Sequence, residues 1–72
     1  MTDQLHHAST LVTHGYQYAV EIRKAASTGW IATVHDDIGR LVWQSATPLP
    51  LQLARNRCGA EARQHAARRD GR

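Results

Sequence analysis

Three kinds of residue in this chain are equipped for chemistry: five histidines, an adjacent pair of aspartates, and one cysteine set among arginines. His6 and His7 are neighbours, and His14 follows in the same segment. These imidazoles would bind a metal if the segment folded to converge them, because a metal site needs fixed ligands and a supporting shell. The segment, MTDQLHHASTLVTHG, has loose apolar patterning and no strong cap. Surface histidines are therefore the expectation, and no metal is assigned. In His35-Asp36-Asp37 the carboxylates stand where a turn wants them, since Asp side chains bond nearby backbone amides. Cys58 has arginines nearby, which favours a reactive thiolate. It also falls on an apolar helical stripe, which favours a buried, inert thiol. Neither a serine-nucleophile motif, a glycine-rich phosphate loop nor a paired-carboxylate arrangement is present. The chain reads as a non-enzyme without a cofactor.

Positive charge is the remaining chemical feature. The stretch LQLARNRCGAEARQHAARR (51–69) holds five arginines, Arg55, Arg57, Arg63, Arg68 and Arg69. Residues 1–54 carry a net charge of −1 and residues 55–72 a net charge of +4. Guanidinium forks match phosphate oxygens, so these five are the candidate nucleic-acid-binding residues. Two other readings stand beside that one: a polar helix face charged for solubility, and a biased composition with eight arginines to one lysine. No zinc-finger spacing, basic zipper or RNP-type aromatic motif accompanies the arginines.

Positioning those residues falls to a few short elements. Tyr16, Tyr18, Val20 and Ile22 alternate with polar or small residues over 15–24, the period of a half-buried strand. AASTG (25–29) is a turn. WIATVHD (30–36) and RLVWQS (40–45) form a hairpin around DDIG, with Gly39 in the left-handed position. Two registers compete. A three-residue loop pairs Asp36 with Arg40 and Val34 with Val42, which separates Trp30 from Trp43. A tighter loop pairs Ala32 with Trp43 and gathers Trp30, Val34, Leu41 and Trp43 on one face. Turn chemistry favours the first and hydrophobic economy the second; the adopted reading puts both tryptophans on the core face. Pro48 and Pro50 end the sheet, and a helix begins at Thr47–Pro48 or at Pro50. Leu51, Ala54, Cys58, Ala62 and Ala66 give it an apolar stripe of small residues. Residues 1–14 read as a flexible arm, with a short first helix as the alternative, although Thr10, Leu11, Val12 and Thr13 would equally suit a strand. The expected fold is α+β: a three-stranded antiparallel sheet packed on one C-terminal helix (β-β-β-α), with 15–70 as a single domain.

Size narrows the function. A chain of 72 residues buries only about 60% of its unfolded surface, which leaves little room for a deep pocket beside a core. That favours a binding module over a self-contained enzyme, and a homodimer over a lone subunit. One cysteine excludes an internal disulfide and suits a reducing compartment. The N-terminal stretch does not resemble a secretory signal, and no apolar run is long enough for a membrane span. A cytoplasmic protein-interaction module, homodimeric or bound to a protein partner, is the leading expectation. Nucleic-acid binding is the alternative.

YAVEIRKAASTGWIATVHDDIGR, followed by a helix containing LARNRCGAEARQHA, resembles HicB-like antitoxin domains and related small bacterial sheet-helix proteins. The likeness covers roughly residues 16–67. It implies a sheet-and-helix domain. The β-β-β-α order is also similar to a double-stranded-RNA-binding domain. That resemblance implies phosphate contacts from the start of the last helix, where Arg55 and Arg57 stand.

Overall fold

A computed structural model describes residues 6–25 and 29–71. Strands β1 (His6–Thr13), β2 (Tyr16–Lys24), β3 (Trp30–His35) and β4 (Leu41–Gln44) precede helix α1 (Leu51–Gly71). The strands form one antiparallel sheet in the order β1-β2-β3-β4. The protein is thus α+β, an open four-stranded sheet with one C-terminal helix.

The added strand corrects the reading of a flexible arm or short helix over 6–13, and the sheet begins before residue 15; the part of that reading on residues 1–5 lies outside the described residues. Among the described residues, His6 to Thr13 pair with Arg23 to Tyr16 without interruption. The turn between them is His14-Gly15, with φ of 54° and 80°. Positive φ at both positions is what a two-residue hairpin loop needs to match strand twist. Histidine is one of the few non-glycine residues enriched there. His14 Nδ1 also donates to Asp70 Oδ2 at 3.2 Å, tying the turn to the end of α1.

Alternation on β2 sends Tyr18, Val20 and Ile22 under the helix, where they are buried with Ala32 and Val34. From α1 they meet Ala54, Cys58, Ala62 and Ala66. Small side chains on that stripe let the helix lie close to the sheet. The helix starts as Ala54 N–H donates to the Pro50 carbonyl at 2.9 Å. Arg68 and Arg69 close its last turn, where cations suit the helix dipole.

The β3–β4 hairpin satisfies both competing demands. Asp36 N–H donates to the Arg40 carbonyl and His35 pairs with Leu41, as the three-residue loop requires. The register then shifts between Val34 and His35, so that Val34 faces Trp43 rather than Val42. This irregularity brings Trp43 to the helix side with Trp30 while keeping the favoured turn. Leu41, expected on the core face, is 56% exposed instead.

Beyond β4 the chain runs on alongside β3 to its start. Trp30 and Leu49 exchange backbone hydrogen bonds of 2.8 and 2.9 Å. Gly29 sits beneath Pro48 so closely that a Cβ there would overlap the proline ring. Most of the expected turn at 25–29 lies outside the described residues.

Candidate functional site

The candidate arginines do not form one surface. Arg57 Nη2 donates to Glu61 Oε2 at 3.1 Å, and its guanidinium lies 5.0 Å from the Trp43 ring centre, on the β4 side. Arg69 Nη1 donates to Asp37 Oδ1 at 3.3 Å, and its guanidinium covers the Tyr16 ring at 3.9 Å. The Tyr18 hydroxyl, and then Asp37, raise the Arg69 pKa above its ordinary value against the opposing effect of burial. Both arginines are thereby engaged inside the molecule. Arg68 is exposed in the last turn. Arg55 and Arg63 occupy the opposite flank, along β1. Arg55 lines a groove there with Gly59, and Arg63 Nη1 lies against Gly59. Neither has an ion pair among the described residues.

That groove exists because α1 leaves β1 partly uncovered. It measures about 510 Å³, within the range of ligand sites. Val20, Ile22 and Cys58 form its buried floor, Leu11 its β1 side, and His7 and Arg55 its rim. Burial pushes the Cys58 thiol up to about 11, so it is protonated and unreactive at neutral pH. The expectation of an inert thiol stands on this geometry.

At the other end of α1 the polar groups are tied to one another. The Tyr18 hydroxyl donates to His65 Nδ1 at 2.9 Å, with the rings edge-on. Asp36 Oδ1 accepts from the backbone N–H of Ile38 (3.1 Å) and Arg40 (2.8 Å). Burial alone would raise the Asp36 pKa. The two backbone donors, with the positive charge of Arg69, outweigh it and hold the carboxyl below its ordinary value. The two aspartates of the HDD stretch lie in the turn after β3, as their residue type implies, and His35 ends the strand. The other histidines are dispersed. Strand alternation sends His6 to the uncovered face, 3.3 Å from Glu21, and His7 to the helix side, against Trp30. No three metal-ligating side chains converge among the described residues.

What this arrangement offers is binding. Among the described residues it has an outer strand edge at β1 and a cationic flank with an amphipathic groove. Reasoning from sequence missed β1, and with it the roles of His7, Ser9 and Leu11. The available signal was the alternation of His7, Ser9, Leu11 and Thr13 leading into a His-Gly turn. No helix among the described residues is long and apolar enough to cross a membrane. Compared with protein-family models, curated proteins and solved structures, the chain has no match. The resemblances noted above rest on the quoted residues alone.

Proposed function

We propose that the protein is an interaction module that joins a second copy of itself by antiparallel pairing of β1. The observation that carries this reading is the edge itself. β1 is an eight-residue outer strand, HHASTLVT, without proline, lysine, arginine, aspartate or glutamate. Such an edge presents unpaired N–H and C=O groups with none of the devices that ordinarily block pairing. Val12, 62% exposed, adds apolar surface beside it.

Symmetry defines the product. A two-fold axis normal to the sheet pairs the strands antiparallel and keeps each face on its own side. Ser9 or Thr10 then stands opposite its own copy, and both helices lie on one side of an eight-stranded sheet. Given strand spacing and helix diameter, the cleft between the helices is on the order of 10 Å wide. The extra burial compensates for a small core.

Sedimentation equilibrium over a wide concentration range tests the proposal. A reversible dimer is expected. Ser9→Lys and Thr10→Lys, both at exposed positions, place like charges across the interface and should favour the monomer. A wild-type chain that stays monomeric at about millimolar concentration, or a dimer indifferent to both substitutions, would overturn it.

A further inference from the structure

The β1 flank carries a pair of rings set between cations. Lys24 Nζ lies 5.0 Å from the centre of the Trp30 ring. On the β1 side, the His7 ring lies 5.3 Å from Trp30, tilted by 48°. His7 and Arg55 then share the rim of the groove, and Arg63 reaches its glycine wall at Gly59. The row therefore runs Lys24, Trp30, His7, Arg55, Arg63, from the sheet onto the helix. Arg55 and Arg63 are eight positions apart, about 12 Å along the axis. Among the described residues, no carboxylate lines the groove. None of the three cations has an ion pair among the described residues, whereas Arg57 and Arg69 are both engaged.

We propose that this flank binds single-stranded nucleic acid. Trp30 and His7 stack a base, and Lys24, Arg55 and Arg63 hold phosphates. Rings beside cations are what single-strand binders combine, because every base has a π-face and every linkage a charge. Lys24 is exposed and flexible, so the Trp30 face it covers opens when that one side chain swings to a phosphate. A duplex hides its base faces and has nothing to offer the rings. An acidic peptide would match the cations but not the Trp30–His7 ring pair. The site lies within one subunit and does not depend on β1 pairing, and the cleft of the proposed dimer leaves it open.

Fluorescence anisotropy tests this with a labelled oligonucleotide of about 12 bases, single-stranded and as a duplex, with polyglutamate as competitor. The single strand should bind at low salt and weaken steeply as salt rises, while quenching tryptophan emission. Arg55→Gln and Arg63→Gln should each weaken binding and reduce the salt slope by about 0.7. Arg57→Gln should change neither. His7→Ala, at a partly exposed position, should lower affinity and leave the salt slope unchanged, which a loss of charge would not do. Trp30→Leu should do the same where its circular dichroism matches the parent. Three results would overturn the proposal: no binding at low salt, tighter binding of the duplex or polyglutamate, or equal losses from Arg57→Gln and Arg55→Gln. Affinity measured at protein concentrations below and above the dimer midpoint should be the same, so failure of the dimer and failure of this site read out separately.

Discussion

The two edges of the sheet are built on opposite plans. The β4 edge is short, four residues against eight in β1, and its pairing with β3 is irregular. The chain then continues along β3, where Leu49 pairs with Trp30 and Pro48 packs against Gly29. Shortness, irregular pairing and nearby proline are the features that keep an edge from recruiting another strand. The β1 edge has none of them. It carries no proline, lysine, arginine, aspartate or glutamate, its pairing with β2 is regular throughout, and the helix leaves its inner side open. Where only one edge of a small sheet is protected, the other is the surface left for association.

The comparison is most severely broken at Gly29. Gly29→Ala drives a methyl group into Pro48, and overpacking of this kind costs about 1–3 kcal/mol. The expected outcome in urea melts is a lower midpoint, with increased aggregation as the strap over β3 loosens. Next comes the bare edge itself. Thr10→Lys should weaken dimerisation about tenfold, roughly 1.4 kcal/mol, without lowering the stability of the monomer. Sedimentation and thermal melts at low concentration check the two halves of that statement.

The β3–β4 turn gives a smaller, pH-dependent effect. The Asp36 carboxyl is held below its ordinary value of 3.8 in the fold, so the native state binds fewer protons than the unfolded chain as the pH falls. Its contribution is present above that value and lost as the pH drops through the lowered one. Asp36→Asn should remove this part of the acid limb, as measured by thermal melts from about pH 6 downward. Smallest of all, Leu41→Lys on the protected edge should leave the association constant unchanged within about twofold. A Leu41→Lys effect as large as that of Thr10→Lys would erase the distinction between the edges.

Most of the architecture was legible wherever burial imposes a period. Tyr18, Val20 and Ile22 announce β2, and the Ala54–Ala66 stripe announces α1, because each element hides one face in the core. β1 was not legible for the same reason in reverse. An edge strand half outside the helix's cover has small and polar residues on both sides, and Ser9 and Thr10 carry no face preference. Its turn uses histidine where asparagine or aspartate is the usual signal. The hairpin register was unreadable because two valid rules disagreed by one residue, and an irregular pairing absorbed the difference. In the site, five arginines looked equivalent along the helix. What separates them are Asp37, Tyr16 and Trp43, partners distant in sequence and brought near only by the sheet.

The buried thiol of Cys58 also makes the helix–sheet contact a timed event. Only the thiolate is alkylated, and only an exposed one meets the reagent. With Cys58 2% exposed and its pKa near 11, labelling has to wait until α1 lifts from the strands beneath it. The rate of alkylation thus counts those openings, one chemical mark per departure, in a chain that contains no second thiol to confuse the count.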